Sequence, residues 1–297
     1  RWVKSLEAAR DLPMASRPRS FVPNFDPSLP RGLYPVANLL PSRADLSLPM
    51  ASYALAAVKG LGRHLLVVRG SEAQIDREVL EPLGIGPEQR DFFTQEAPYG
   101  KPLGHGDAAW QSRALWRGAD YVVTNFAGDA NSRLSVLASL LVLDALCLAG
   151  RGPDLLLPAA SIPSPSYRID LDAEGLPRRF FHAKLQARAE GAAFEAGPGY
   201  TNVGLRLYRA PALLEAIHHF RSSFWIEGTG YAIPGNDPEG HEFALDNVDS
   251  WLAASGRARL LPLCLPEELT PAKSLDDLEA FERAMAVVVA GDSGLGI

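Results

Sequence analysis

The chain has 297 residues, of which 47% are hydrophobic, and its formal net charge is −6. This length and composition indicate a folded globular protein that can bury a sizeable core. The acidic balance, with a pI near 5.6, gives no general attraction to nucleic acid or anionic lipid, so we predict neither as a partner.

The first residues do not show the sequence pattern of a signal peptide. No basic region followed by an apolar core opens the sequence, so we expect no signal peptide and a cytoplasmic protein. Two cysteines, Cys147 and Cys264, suggest core thiols in a reducing compartment. The longest apolar stretch, Leu134 to Ala149, is too short to cross a bilayer and predicts a buried helix that ends at Gly150.

The first half alternates predicted strands and helices, after a proline-rich and arginine-rich segment over residues 1–45 that predicts irregular chain. Ser71 is a plausible N-cap for the second helix. This alternation is typical of a parallel sheet with helices on its faces. The predicted helices are Leu48–Lys59, Ser71–Leu83, Ala108–Arg117 and Ser132–Ala149, and the predicted strands are His64–Arg69, Asp120–Asn125 and Asp154–Pro158.

The second half predicts an antiparallel hairpin, then mixed elements. An irregular stretch from Phe224 to Gly240 suggests a lid or binding loop. The whole pattern predicts one α/β domain, a mixed open sheet flanked by helices with a small antiparallel subregion. The predicted strands are Tyr167–Asp172, Arg178–Gln186, Asn202–Tyr208 and Arg259–Cys264, and the predicted helices are Pro211–Phe220, Glu242–Ser255 and Leu275–Met285.

The stretch from Gln95 to Asp129 carries the clearest candidate site. A glycine-rich turn over residues 103–107 lets a flat ligand lie against backbone. The strand that follows runs into Gly128-Asp129, and ligands of open α/β sheets bind beyond the carboxyl ends of strands. We therefore predict a nucleotide pocket with its metal ligand in this stretch.

Several motifs in this order resemble those of the sugar nucleotidyltransferases, and the UDP-sugar pyrophosphorylases in particular. Pro30-Arg-Gly-Leu-Tyr-Pro-Val36 is similar to the phosphate-contacting stretch of that family, with Arg31 at the position of its lysine. The others are Gln95 with Leu103-Gly-His-Gly-Asp-Ala108, Gly128-Asp129, Tyr200-Thr-Asn-Val-Gly204, and Thr270-Pro-Ala-Lys-Ser-Leu-Asp-Asp-Leu278.

The resemblance implies a Rossmann-like, GT-A-like fold, with a nucleotide half at about 30–160 and a sugar-side half at about 161–290. It implies transfer of a uridylyl or thymidylyl group from a nucleoside triphosphate to a sugar 1-phosphate, with Mg²⁺ as cofactor. The implied roles are phosphate contact for Arg31 and Lys273, nucleoside binding for Gln95, Gly104, His105, Gly106 and Asp107, sugar binding for Asn202 and Gly204, and metal binding for Asp129.

Other interpretations of these residues stay open. Asp129 could cap the following helix, Asn202 could only shape a strand edge, and Lys273 could be a solvated side chain. Asp246 and Asp249 could belong to a second metal group, although their helical spacing favours a solvated face.

One departure from the family bears on catalysis. The family opens with a Gly-rich phosphate loop, whereas this sequence has no glycine before Gly32. Either the loop lies outside this sequence, which leaves an ordinary enzyme, or the protein lacks it, which puts catalysis in doubt. The second case, together with Arg31 in place of the lysine, favours the runner-up function, a non-catalytic homologue that binds a nucleotide sugar as a regulatory or scaffolding subunit. A dinucleotide-dependent oxidoreductase is disfavoured because no G-x-G-x-x-G follows the first predicted strand.

Overall fold

The computed structural model describes residues 2–11, 25–26, 29, 31–40, 47–129, 131–165, 167–182, 197–236, 241–270 and 274–294. Helix α1 spans Trp2–Asp11. A 3₁₀ turn at Arg31–Leu33 leads into a small antiparallel pair, β1 (Pro35–Ala37) and β2 (Ser47–Pro49). Helix α2 (Ala51–Val58) follows and is shorter than predicted, because residues 47–49 form the strand β2.

The parallel unit of the first half is built from β3 (His64–Val68) and β4 (Arg90–Thr94), which pair in parallel. Helix α3 connects them in three consecutive pieces, Glu72–Ile75, a π-helical Asp76–Leu80 and Glu81–Leu83. Ser71 adopts a left-handed conformation with φ of 66° and makes no side-chain cap, so the predicted capping role is wrong.

The largest sheet has seven strands and forms the centre of the described chain. Its order is β5–β10–β6–β9–β7–β8, and β13 pairs with β6. The β13–β6 pairing is parallel, and the other pairings of this sheet are antiparallel. The strands are β5 (Tyr121–Thr124), β6 (Leu155–Ile162), β7 (Tyr167–Leu171), β8 (Pro177–His182), β9 (Gly199–Asn202), β10 (Arg206–Arg209) and β13 (Ala258–Leu261).

Helices flank the strands. They are α4 (His105–Trp116), α5 (Arg133–Leu148), α6 (Ala210–Phe224), α7 (Leu245–Ala254) and α8 (Leu278–Gly294). A short hairpin, β11 (Trp225–Ile226) and β12 (Gly230–Tyr231), lies in the stretch predicted to be irregular. The chain is thus a mixed α/β structure with a multi-stranded sheet, and the antiparallel hairpin β7–β8 is confirmed.

Alternating side chains of β3 reach two different cores. Leu66 and Val68 pack on a cluster that includes Tyr34, Met50 and Phe281, whereas Leu65 packs on the cluster of α6 and α7. This alternation follows from the two-residue period of a strand.

Helix α5 is only partly buried, which corrects the predicted buried helix. Leu143 is 3% exposed, but Leu141 and Leu148 are 71% and 83% exposed. Its apolar residues therefore extend beyond the face that contacts the protein. Among the described residues, no helix combines the length and apolarity needed to cross a membrane.

Candidate functional site

The loop after β5 is held in place from both ends. Nδ2 of Asn125 donates to the carbonyl oxygen of Ala54 in α2 at 3.0 Å. Nδ2 of Asn131 donates to the carbonyl oxygen of Val203, between β9 and β10, at 2.9 Å. These two bonds fix the intervening turn, which carries Asp129, beside the segment that joins β9 to β10.

Arg31 lies directly on this loop. A Cβ atom added at Gly128 would lie 2.7 Å from Nη2 and 3.2 Å from Cζ of Arg31, so only a glycine lets the guanidinium approach this closely. Gly32 beside it packs against Ala127. Burial lowers the pKa of Arg31, while the charges of Asp129 and Asp277 act to raise it. The predicted phosphate contact and the predicted metal ligand are therefore neighbours.

Gly204 lies against the carboxylate of Asp129. A Cβ at Gly204 would lie 1.8 Å from Oδ2 of Asp129, and the φ of Gly204 is +87°, a conformation that side chains disfavour. The carboxylate thus rests against a bare backbone position. Gly204 belongs to the site through this contact with Asp129, and a direct contact with a sugar stays a prediction.

Asn202 shapes this turn. Its Oδ1 accepts from the backbone N–H of Gly204 at 2.6 Å, and its Nδ2 donates to the carbonyl oxygen of Leu205 at 3.0 Å. Both polar ends of the side chain are used within the turn between β9 and β10. Asn202 therefore has a structural role in this turn. Its side chain holds Gly204 in position for the contact with Asp129.

Asp129 is not the cap of α5. The backbone N–H groups of residues 132–134 donate to Glu268 and Asp292, and that of Ser135 donates to the Ser132 hydroxyl. The N-terminal donors of this helix therefore have acceptors other than Asp129. The capping interpretation of Asp129 is therefore wrong.

His105 opens α4 and is held as a neutral imidazole. Its Nδ1 accepts from the backbone N–H of Leu245 at 2.8 Å, so the proton of the neutral ring belongs on Nε2. Burial lowers the pKa of His105 to about 4, with a further lowering by Arg206 and an opposing effect of Asp246. The ring lies 5.1 Å from that of Phe126, which in turn contacts the Gly204 turn.

The two glycines beside His105 have a different purpose from the one predicted. A Cβ at Gly104 would lie 2.4 Å from the carbonyl oxygen of Phe243, and one at Gly106 would lie 2.8 Å from the same atom. The backbone N–H of Gly106 donates to that oxygen at 2.8 Å. Phe243 fills the space above both glycines, so the prediction that a base lies flat on them is wrong.

Asp107 also faces inward. It is 1% exposed, its Oδ1 accepts from the Tyr231 hydroxyl at 2.8 Å, and its Oδ2 accepts from Nε2 of Gln111 at 2.6 Å. Arg221 lies 4.0 Å away. Burial raises the pKa of Asp107, and these three partners oppose the rise. The predicted nucleoside contact is therefore wrong for Asp107, which instead fixes α4 to the β11–β12 hairpin.

Gln95 follows β4 and lies at the entrance to α4. Its Nε2 donates to the carbonyl oxygen of Gly104 at 3.0 Å, and its backbone N–H donates to Val68 at 2.8 Å. An amide nitrogen carries two hydrogens, so one donor and the Oε1 acceptor are still available for a nucleobase. Base recognition by Gln95 stays a prediction.

Arg206 is a charged residue beside this site that the sequence patterns did not reveal. It is 3% exposed, contacts Asp246 and donates from Nε to Asp249 at 2.7 Å. Its Nη1 reaches the carbonyl oxygen of Gly204 at 3.3 Å. The Asp246 side chain is 36% exposed, whereas Asp249 is fully buried, so the predicted solvated face is wrong for Asp249. The burial of Asp249 depends on its contact with Arg206, which is distant in the sequence, so short-range patterns could not predict it.

Lys273 lies outside the described residues. The described chain resumes at Ser274, whose hydroxyl donates to Asp277 at 2.8 Å, and Asp277 is one of the two acids that act on Arg31. The segment that continues from Lys273 therefore reaches the Arg31 side of the site, and the phosphate role of Lys273 stays a prediction.

The side chains that could act as metal ligands bear on the predicted Mg²⁺ site. Within the described ranges, no group of three or more His, Cys, Asp or Glu side chains is arranged to hold a metal ion. Mg²⁺ is commonly bound through one or two carboxylates completed by water and substrate phosphates, and the hard oxygen ligands of Asp129 fit that pattern. Binding of Mg²⁺ at Asp129 therefore stays a prediction.

Comparisons with known proteins add little beyond this geometry. No protein-family model and no curated protein matches the chain. Among solved structures, the chain is similar to HddC from Yersinia pseudotuberculosis, with a TM-score of 0.45 and 12% identity, over 76% of this chain and 85% of that chain. A similarity of this size carries no argument about function.

Proposed function

We propose that the chain is a nucleotidyltransferase that transfers a uridylyl or thymidylyl group from a nucleoside triphosphate to a sugar 1-phosphate. One observation carries this proposal. Arg31, the Gly128-Asp129 turn and Gly204 are far apart in the sequence, come from three separate motifs that resemble the family, and lie against one another. A cation and a carboxylate near one another are groups that metal-assisted phosphate chemistry uses.

In this reaction an oxygen of the sugar phosphate attacks the α-phosphorus, a new P–O bond forms, and the bond to the departing pyrophosphate breaks. Both reactants are anions, so catalysis requires positioning and charge neutralisation more than covalent chemistry. Arg31 would bind phosphate oxygens through its planar fork, and Asp129 would hold the metal. The metal, when bound, supplies further neutralisation of the phosphate charge.

The nucleoside would lie toward α4. The neutral His105 can offer its Nε2–H to a sugar or phosphate oxygen, because Leu245 occupies Nδ1. Gln95 would contribute its remaining donor and acceptor to the edge of a pyrimidine. With Asp107 and the faces of the two glycines turned inward, these two side chains are the nucleoside contacts that the geometry supports.

A second candidate function is binding of a nucleotide sugar without turnover. The feature that favours it is Arg31, which stands where the resembled family has its phosphate-contacting lysine. A subunit that only recognises a nucleotide sugar needs a cation to bind phosphate but does not need turnover. The two functions differ in whether pyrophosphate is released.

The test measures Mg²⁺-dependent pyrophosphate release from UTP and dTTP with a panel of sugar 1-phosphates. We expect turnover in the wild type and a loss of about a hundredfold or more in Asp129→Asn. Asp144→Asn, an exposed carboxylate on α5, is the matched control and should retain activity. Tight binding of nucleotide sugar by calorimetry without turnover would select the second function, and no nucleotide binding would remove both.

A further inference from the structure

We propose that helix α5 pairs with α5 of a second copy of the chain, in antiparallel orientation, to form a weak homodimer. The inference does not rest on the proposed function, because the groups that carry it lie on one face of α5 and at its two ends. This outer face consists of Leu134, Ala138, Leu141, Ala145 and Leu148.

The outer face is a continuous apolar stripe. Its five residues follow one another at alternating intervals of four and three, which places them on one side of the helix, as in the seam of a coiled coil. Leu134, Leu141 and Leu148 are 39%, 71% and 83% exposed. The described part of the chain therefore leaves most of this stripe open to solvent, although burying it would be favourable.

The alternation of large and small side chains suits a second copy of the same helix. In an antiparallel pair, Leu141 of one copy packs on Ala145 of the other, and the same register places Leu148 on Ala138. A twofold axis repeats both contacts, so each of these leucines enters a space that an alanine leaves. A parallel pair would instead set leucine on leucine and alanine on alanine.

Opposite charges at the two ends of α5 meet in this register. At the N-terminal end, Asp292 of α8 accepts from the Ser132 hydroxyl at 2.7 Å and from the backbone N–H of Leu134 at 3.0 Å. Just beyond the C-terminal end, Arg151 is exposed, and its backbone N–H donates to Leu146 at 2.8 Å. The antiparallel register sets Arg151 opposite the first turn of the other α5, beside Asp292 of that copy. Charge complementarity at both ends thus favours a second copy in this orientation.

The remaining charges of α5 do not interrupt the stripe. Arg133, the cation of the first turn, is directed to α2, where its Nη1 donates to the carbonyl oxygen of Lys59 at 2.9 Å. Asp144 is the one charged residue between Arg133 and Arg151, and it lies outside the stripe.

The dimer should be weak because the contact is short. Helix α5 has 16 residues and is therefore about 24 Å long. One pair of such helices buries less than the roughly 1,600 Å² of a standard stable interface. We therefore expect mainly monomer at low micromolar concentration and mainly dimer at several hundred micromolar.

The test is sedimentation equilibrium of the full chain over this concentration range. We expect the wild type to approach the mass of a dimer and no larger species, because the pairing is closed by a twofold axis. Leu141→Glu should weaken the dimer at least about tenfold, since it places two buried like charges near the axis. Leu115→Glu is the matched control, because Leu115 is a 51% exposed leucine on α4, and it should dimerise like the wild type.

Arg151→Glu tests the orientation. It sets like charges against each other at both ends, so it should weaken the dimer severalfold at low salt and less at high salt. In an Asp292→Asn background, which keeps an acceptor for the α5 donors, the same change should have a smaller effect. No effect of Arg151→Glu would overturn the antiparallel arrangement.

A wild type that stays monomeric at several hundred micromolar would overturn the dimer, and so would equal weakening by Leu141→Glu and Leu115→Glu. Circular dichroism verifies that each variant is folded. A monomeric wild type that Leu141→Glu strongly destabilises would show that another segment of the chain covers the outer face, which also rejects the inference.

Discussion

Nε of Arg206 lies 2.7 Å from Oδ2 of Asp249, and both side chains are buried beneath the candidate site. Oδ1 of Asp249 accepts from the Tyr208 hydroxyl, so both oxygens of the carboxylate are bonded. Removing one member of such a pair leaves the other charge buried with incomplete compensation. This pair therefore fixes β10 to α7.

We predict that Asp249→Asn lowers the free energy of unfolding by about 3 to 5 kcal/mol, because Arg206 loses its fully buried partner. Asp246→Asn is the matched control. Its side chain is 36% exposed and Arg206 keeps Asp249, so its loss should be clearly smaller. Urea unfolding of the three proteins measures both values, and equal losses would contradict the assignment.

His105 should make stability depend on pH. Its pKa is lowered from 6.5 to about 4 in the folded chain, mainly by burial, so between these values the unfolded chain binds a proton that the folded chain does not. The contribution of His105 is therefore complete above pH 6.5 and is lost as the pH falls toward 4, by at most about 3 kcal/mol.

His105→Asn tests this dependence, since asparagine can still accept from the Leu245 N–H but does not titrate. We expect the wild type to lose more stability than the variant between pH 7 and 4.5 in urea unfolding. Acidic groups such as Asp107 and Glu268 titrate in both proteins, so the difference isolates His105. Parallel pH profiles would show that the imidazole does not carry the effect.

Local patterns predicted much of the fold. The apolar run of β3, the helix over residues 133–148 and the β7–β8 hairpin follow from short-range periodicity and turn residues, and the structure contains all three. Strand β4 was missed because its five residues, Arg90-Asp-Phe-Phe-Thr94, mix charge with aromatic residues and show no strict alternation. The predicted strand over 202–208 is divided where Gly204 takes a positive φ.

The site depends more on contacts between distant segments. The glycines at 104 and 106 look like a ligand cradle in sequence, but Phe243 fills the space above them. Asp249 looks solvated until β10 brings Arg206 against it. Arg31, Asp129 and Gly204 were each identified from a separate motif, but only the folded chain shows that Arg31 lies against Gly128 and Asp129 against Gly204. Short-range pattern identifies residue types, and tertiary packing decides which of them face a ligand.

Helix α5 offers a matched comparison of two leucines. Leu143 is 3% exposed, and Leu141, two positions earlier, is 71% exposed. Leu143→Ala should lower the free energy of unfolding by about 2 to 5 kcal/mol because it leaves a cavity in the core. Leu141→Ala should change it by no more than about 0.5 kcal/mol. A large loss for Leu141→Ala in urea unfolding would mean that another surface covers this face.

The contact between Gly204 and Asp129 can be tested against a glycine of similar conformation. Gly204 has φ of +87° and Gly175 has φ of +78°, but a Cβ at Gly175 would meet no atom within 4 Å. Alanine at either position carries a conformational cost of about 1 to 2 kcal/mol. Only Gly204→Ala also pushes a methyl group into the carboxylate of Asp129.

We therefore expect Gly175→Ala to be mildly destabilised with unchanged affinity for Mg²⁺ and UTP. Gly204→Ala should be destabilised further and bind Mg²⁺ and UTP about tenfold or more weakly, because the metal ligand is displaced. Urea unfolding and calorimetry with Mg²⁺ and UTP separate the two effects. If Gly204→Ala binds as well as Gly175→Ala, Asp129 does not hold the metal in the position that the Gly204 turn defines.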